Sequence, residues 1–250
     1  MNVYSGFLLA FLLAGSAEAA PEGARSYVKK TPDLALKAAS VEYRSDLDLL
    51  VFEQKVEGSA GGTLPRPRGE LDGAPVLGYV FPTTLKSEDV GFSPAEGVVA
   101  LAVTSHPDFD DSPLWDENGD GDTRNDGLTW HTHWVVLVKD TRVPGGLSVK
   151  EFRKAEAVVL PPTAPDMPMF MDSPGYSLVT RGDTLRVLLP AQRVRNKTEF
   201  RFDAVTAYME VASGKGGGHS HKDSKPMLGV YGVYSVLSGD LSLPYQVVRR

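Results

Sequence analysis

The chain has 250 residues, of which 42% are hydrophobic, 9% aromatic and 23% charged, which is enough apolar material for a domain with a buried core. Its 26 basic and 32 acidic residues leave a net charge of −6. Because there is no basic excess to neutralise a phosphate backbone, we expect no nucleic-acid partner. The absence of cysteine excludes disulfide bonds, thiolate catalysis and thiolate metal sites.

The first 19 residues are typical of a secretory signal peptide. An apolar segment from Phe7 to Ala14 precedes small residues and an Ala17-Glu18-Ala19 pattern, so we expect cleavage near Ala19/Ala20. The apolar segment is too short to span a bilayer and no later stretch approaches 18 apolar residues, so we expect no membrane span. An exported chain without cysteine is predicted to be periplasmic or secreted, with residues 20–250 forming a single domain.

Short apolar runs separated by glycine and proline predict β-strands along the mature chain. The predicted strands cover 34–43, 47–56, 76–81, 97–104, 128–138 and 147–153, a hairpin at 176–189 that turns at Arg181-Gly182-Asp183, and segments 200–211 and 227–237. No window of eleven or more residues shows a clean helical period. About ten strands at this spacing indicate an all-β fold. The predicted architecture is an antiparallel β-sandwich with a long metal-binding loop, and the alternative is a closed β-barrel.

The loop from Ser105 to Gly127 holds eight acidic residues and one arginine, a net charge of −7, so it accounts for the acidity of the whole chain. Within it, Asp116-Glu117-Asn118-Gly119-Asp120-Gly121-Asp122 resembles the calcium loop of EF-hand proteins. The resemblance covers about a dozen residues and implies calcium ligands at Asp116, Asn118 and Asp120 and at the backbone carbonyl of Asp122, with Gly121 at the sharp turn. The motif departs from the family at loop position 12, where Gly127 replaces the bidentate glutamate. Asp126 is a further candidate ligand, because it could supply the carboxylate that the motif lacks. Asp108, Asp110 and Asp111 are the other carboxylates that could complete the site.

The chain also carries histidines that suit a transition metal. His131 and His133 share one face of a predicted strand because their spacing is i, i+2, and His106 closes the strand before the acidic loop. If these two strands are antiparallel neighbours, the three imidazoles converge and could bind zinc, copper or nickel. The alternative is that the rings only form hydrogen bonds or sit half-buried. Met167, Met169 and Met171 could likewise offer thioethers to copper(I) or simply fill a core.

These observations predict an exported calcium-binding protein with a binding role and calcium that is mainly structural. We favour a binding protein over an enzyme because the sequence carries no G-x-S-x-G, H-E-x-x-H, P-loop or dinucleotide motif. One alternative is a carbohydrate-binding or cell-envelope-binding module that uses Trp115, Trp130 or Tyr176 as stacking platforms. Another is a metal-dependent hydrolase, or a periplasmic transition-metal handling protein, that uses His106, His131 and His133.

Overall fold

A computed structural model describes residues 31–153, 156–213 and 225–250 of the chain. The predicted signal peptide, residues 1–19, lies outside the described residues. Within them, no helix is long and apolar enough to cross a membrane.

The described part of the chain folds into short β-strands with four brief 3-10 helices. The strands are β1 (Leu36–Arg44), β2 (Leu49–Val56), β3 (Pro75–Pro82), β4 (Val98–Ser105), β5 (His131–Lys139), β6 (Leu147–Val149), β7 (Met171–Asp172), β8 (Ser177–Arg181), β9 (Thr184–Pro190), β10 (Arg201–Phe202), β11 (Val205–Val211), β12 (Leu228–Val236), β13 (Tyr245–Gln246) and β14 (Val248–Arg249). The 3-10 helices are Pro32–Leu34, Ser87–Val90, Asp126–Leu128 and Ala191–Val194.

The largest sheet closes on itself. Its strands run in the order β4-β3-β11-β12-β6-β5-β7, and an additional pairing of β4 with β5 closes six of them into a barrel. All of the barrel pairings are antiparallel. The two-residue strand β7 pairs with Trp134 and Val135 of β5, beside the stretch of β5 that pairs with β6.

A second sheet of five strands, in the order β14-β1-β2-β9-β8, packs against the outside of the barrel. Phe52 of β2 lies at the centre of this contact. Its ring centroid is 5.2 Å from that of Phe81 in β3 and 6.5 Å from that of Trp134 in β5, both in edge-on arrangements that aromatic pairs favour. A small two-stranded sheet of β10 and β13 completes the described fold.

Strands β3 and β4 are apolar on both faces, because one face looks into the barrel and the other towards the second sheet. In β4, Ala100 and Ala102 belong to the interior cluster, whereas Leu101 and Val103 belong to the cluster between barrel and sheet. Every residue of β3 is buried. This confirms the sequence interpretation of 76–81 and 97–104 as strands buried on both sides.

The all-β class is confirmed, and the closed barrel, stated above as the alternative, describes the larger sheet. The predicted hairpin turn is also present, because β8 ends at Arg181 and β9 begins at Thr184. The predicted long loop runs from the end of β4 to the start of β5.

Candidate metal centre

The antiparallel pairing of β4 with β5 brings the three predicted histidines to one end of the barrel. Thr104 lies opposite His131 and Ala102 lies opposite His133, so His106, two residues beyond Thr104, reaches the start of β5. The i, i+2 spacing turns both β5 imidazoles to the same face. Asp111, from the acidic loop, joins them, and all four side chains are buried.

One carboxylate oxygen is the common neighbour of the three rings. Oδ1 of Asp111 lies 3.2 Å from Nε2 of His131, 3.4 Å from Nε2 of His106 and 3.5 Å from Nε2 of His133. The Nε2 atoms of His106 and His131 are 3.0 Å apart. Within the described residues, this is the group of histidine and carboxylate side chains whose ligand atoms all lie within 4.8 Å of one another, and it could hold a metal ion.

The outward ring nitrogens indicate which tautomer each histidine adopts. Nδ1 of His106 lies 2.8 Å from the carbonyl oxygen of Phe109, and Nδ1 of His131 lies 2.6 Å from the carbonyl oxygen of Thr129. A carbonyl oxygen only accepts, so both Nδ1 atoms donate and each Nε2 is left with a lone pair when the ring is neutral.

The tautomer of His133 follows from a hydroxyl group. Oγ of Ser173 donates to the carbonyl oxygen of Asp111 at 2.6 Å and lies 3.1 Å from Nδ1 of His133. Because the hydroxyl proton is used on that carbonyl, the hydroxyl oxygen accepts from Nδ1 of His133. Nε2 of His133 is buried without a hydrogen-bond partner. In their neutral forms, all three rings therefore turn a lone pair towards the Asp111 carboxylate.

The surroundings shift the pKa values of the ionisable side chains in this cluster in different directions. Burial opposes ionisation of Asp111, but His133 and His106 outweigh it and hold the pKa of this carboxyl well below its usual range. Burial lowers the pKa of His133 to about 3. The charge of Asp111 opposes this shift, and the charge of His131 adds to it. Burial also opposes protonation of His131, but its hydrogen bond to Asp111 raises the pKa of that ring. The cluster thus combines an ionised carboxylate with at least one neutral imidazole.

Close packing of the chain holds His106 in this position. The backbone N–H of His106 donates to the carbonyl oxygen of Gly127 at 2.7 Å, and its ring stacks on Phe109 with centroids 4.1 Å apart. A Cβ atom at Gly127 would overlap the carbonyl oxygens of Phe109 and His106. Only glycine allows the two ends of the acidic loop to approach this closely.

The calcium-type motif forms a compact turn at the exposed side of the loop. Asp116 accepts backbone N–H groups from Gly119, Asp120 and Gly121, at 2.6 to 3.1 Å. Asn118 and Asp120 each accept the N–H group two residues further along. Gly119 and Gly121 both have positive φ, at 76° and 90°.

Three of the other predicted calcium ligands in the loop form hydrogen bonds or ion pairs outside this turn. Asp122 pairs with Arg124 at 2.8 Å, and Asp108 accepts the backbone N–H groups of Arg68 and Gly69. Asp110 accepts the N–H group of Ser112. Asp111, which we considered as a completing calcium ligand, lies instead among the histidines. The calcium site itself stays a prediction.

Three acidic side chains of the loop, those of Asp110, Glu117 and Asp126, have buried oxygens with no hydrogen-bond partner. Asp126 is fully buried, and its Oδ1 accepts the N–H group of Asn118 at 2.9 Å while its Oδ2 has no partner. Both carboxylate oxygens of Glu117 are also buried without a partner. Burial, with a smaller contribution from the charge of Asp126, raises the pKa of Glu117 to about 7.

The aromatic residues considered as sugar platforms line one cleft beside His131. Only Trp115, which is 40% exposed, is available there as a flat surface. The indole N–H of Trp130 donates to the carbonyl oxygen of Gly61, and the hydroxyl of Tyr176 accepts from Trp134. Carbohydrate binding stays a prediction that the aromatic geometry does little to support.

The methionines lie in apolar surroundings. Met169 and Met171 are buried in the barrel interior, and Met167 packs against the same cluster. Core filling accounts for these side chains.

Comparison of the chain with protein-family models, with curated proteins and with solved structures finds no significant match.

Proposed function

We propose that the protein binds one divalent transition-metal ion through His106, Asp111, His131 and His133. The observation that carries this proposal is the convergence of three imidazole Nε2 atoms on one carboxylate oxygen in a buried site. In its neutral form, each ring donates its single N–H group to an acceptor outside the cluster. A cation bound between the four side chains would satisfy the inward lone pairs.

Zinc is the ion that best fits the donor set. Three imidazole nitrogens and one carboxylate are ligands that zinc accepts, and calcium does not prefer nitrogen. With metal–ligand distances of about 2.0–2.1 Å, the ligand atoms of a tetrahedral site lie roughly 3.3 Å apart. The four separations given above run from 3.0 to 3.5 Å. Copper accepts similar ligands and is the second candidate.

The surrounding hydrogen bonds also support a metal site. Metal-bound histidines usually donate their other N–H group to a carbonyl, carboxylate or water, which orients the ring. Here the acceptors are the carbonyl oxygens of Phe109 and Thr129 and the hydroxyl of Ser173. The chain's own hydrogen bonds therefore hold the three rings in the orientation that a metal site needs.

The test is metal analysis of the chain purified without a polyhistidine tag, followed by titration of the metal-free protein with zinc and copper. We expect one tightly bound ion per chain. Asp111→Ala should weaken binding at least a hundredfold, whereas Asp108→Ala, in the same loop but bonded to Arg68 and Gly69, should bind like the parent. A chain that binds no transition metal, or an Asp111→Ala variant that binds it normally, would overturn the proposal.

We also propose a calcium ion in the acidic loop, in line with the motif at Asp116, Asn118 and Asp120. Support comes from Asp126, which touches the motif through the N–H group of Asn118 and keeps one fully buried oxygen without a partner. Glu117 adds two more such oxygens. A hard cation with six to eight oxygen ligands would use them. Its role would be structural, because the loop joins two strands of the barrel.

Calcium binding is tested by thermal unfolding of the zinc-loaded chain in calcium and in magnesium at matched ionic strength. An ion that binds only the folded chain at a hundredfold excess over Kd stabilises by about 2.7 kcal/mol. Asp126→Asn should abolish the calcium-dependent rise in melting temperature, and Asp33→Asn, outside the loop, should leave it. Equal melting temperatures in calcium and magnesium for the parent chain would refute the calcium site.

The proposed role is metal binding in a protein that is exported from the cytoplasm. The leader-like residues 1–19 support export to the periplasm or the medium. Mass measurement of the protein recovered from those compartments tests this, since removal of residues 1–19 should leave a chain that begins near Ala20.

A further inference from the structure

The barrel is not completely filled. An internal cavity of about 80 Å³ lies among its inward-facing side chains. Three of the four residues assigned to the metal, His106, Asp111 and His133, line the same cavity. The metal centre therefore forms part of the wall of this space.

Apart from the Thr104 hydroxyl, the side chains of the remaining wall are apolar. The wall includes Ala102, Val135, Met171, Ala207, Met209 and Val230. A space of this volume would accommodate several water molecules, but a water needs two to four polar partners and apolar cavities stay dry. An apolar guest is favoured in such a space, because its surface is removed from water.

Small residues create the empty space next to the metal ligands. Ala102 lies directly opposite His133 across the β4–β5 pairing, and Ala207 lies opposite Gly78 across the β11–β3 pairing. Both alanines line the cavity, whereas most neighbouring wall positions carry valine, leucine or methionine. A leucine at either position would occupy part of the space.

We propose that the bound metal ion takes a small, mainly apolar molecule as an additional ligand, with one donor atom on the metal and its carbon body in the cavity. The inference rests on the metal site proposed above and specifies the class of molecule that reaches it. Zinc sites can expand from four to five ligands, so the donor atom need not displace a side chain. The cavity wall selects against ions and strongly hydrated molecules, because away from the metal ligands its only hydrogen-bonding side chain among the described residues is Thr104.

The experiment uses cobalt(II) in place of zinc in the full chain, because its visible absorption reports changes in coordination. The probes are straight-chain alkanethiols from methanethiol to hexanethiol, whose thiolate sulfur coordinates the ion. We expect each thiol to add a sulfur-to-cobalt absorption band. Affinity should rise about fourfold for each added CH₂ until the cavity is full and then fall.

Variants separate the cavity from the metal. Ala102→Leu and Ala207→Leu should keep one cobalt ion per chain and lose the dependence of affinity on chain length. Two variants are used so that poor folding of one does not decide the result. Ala38→Leu, on an exposed position of β1 in the other sheet, should behave like the parent.

The outcomes are distinct. If cobalt binds but no thiol changes its spectrum, the metal has no free position, and the inference fails while the metal site stands. If thiols bind with affinities that ignore chain length and both leucine substitutions, the ligand reaches the metal from outside the barrel, which also overturns the inference. If cobalt does not bind, the proposed metal site itself is wrong.

Discussion

Nδ1 of His133 lies 3.1 Å from the hydroxyl oxygen of Ser173, a residue 40 positions further along the chain. The same hydroxyl donates to the main-chain carbonyl of Asp111. Ser173 thus sets the tautomer of one candidate metal ligand and positions the backbone of another, without belonging to the set of four.

This relationship predicts that Ser173→Ala weakens metal binding about 10- to 100-fold, the usual cost of removing an outer hydrogen bond from a metal-bound histidine. The alanine can neither accept from His133 nor donate to Asp111. Competition against a chelator of known zinc affinity measures the change. Ser177→Ala, on an exposed position of β8, is the control and should bind zinc like the parent. Unchanged affinity in Ser173→Ala would mean that the ring is oriented by packing alone.

Gly127→Ala should damage both stability and metal binding. Its Cβ atom would overlap the carbonyl oxygens of Phe109 and His106, so the loop and the first ligand must move apart. Zinc titration and thermal unfolding measure the two effects. Gly232→Ala provides the comparison, because a Cβ atom there would meet only Tyr208 at an ordinary distance of 3.8 Å. Equal losses in the two variants would show that the close approach at Gly127 is unimportant.

Much of the fold was predictable from local patterns. The apolar runs at 76–81 and 97–104 correspond to β3 and β4, and the hairpin at 176–189 corresponds to β8 and β9. Closure of the barrel was not predictable as such, because it depends on pairings between strands separated by long loops, such as β4 with β5. Strands of two residues, such as β7 and β10, are too short to carry a period.

The metal centre was predictable only in part. Three of the four ligands were predictable from the sequence. His131 and His133 have the i, i+2 spacing that places both on one face of a strand, and His106 lies at the end of the preceding strand. Asp111 had no such signal, because it stands among seven other acidic residues of the loop and only the folded loop distinguishes it. Ser173 had none either, since it reaches the site from beyond β7.

An ion pair on the side of the barrel leads to a pH prediction. Asp140 accepts from the Arg142 guanidinium, at 2.6 Å for the shortest contact, and from the Ser148 hydroxyl at 2.8 Å. The hydrogen bond to Arg142 is the main reason that the pKa of Asp140 falls from 3.8 to about 2. A depressed folded pKa gives stability that is present above the unfolded pKa and disappears as the pH falls through the folded pKa.

Asp140→Asn should therefore lower the free energy of unfolding by about 2 kcal/mol near neutral pH, with the difference shrinking between pH 4 and pH 2. Urea unfolding across this range measures it. Asp46→Asn is a matched control, because Asp46 also pairs with an arginine two residues away, Arg44, but both side chains are largely exposed. Its effect should be smaller. A difference between parent and Asp140→Asn that stays constant with pH would contradict the argument.

Glu117 should behave in the opposite sense. Its pKa is raised from 4.5 to about 7 by burial, so the folded chain loses stability as the pH rises from 4.5 through 7 and Glu117 ionises. In the presence of a chelator, Glu117→Gln should be more stable than the parent at pH 8 and equally stable at pH 4.5. Thermal unfolding at both pH values measures this. Calcium should reverse the order at pH 8, because it binds the ionised carboxylate more tightly than the neutral amide of glutamine.

The candidate ligands stand on both sides of the exposed tip of the acidic loop. His106 and Asp111 precede the tip, His131 and His133 follow it, and Leu114 within it is 59% exposed. A protease that cuts at this tip would therefore divide the chain into two fragments, each carrying two of the four ligands. The metal ion would then join the fragments, along with the strand pairing of β4 and β5. The two fragments of the cleaved protein should therefore stay associated until both a chelator and a denaturant are present.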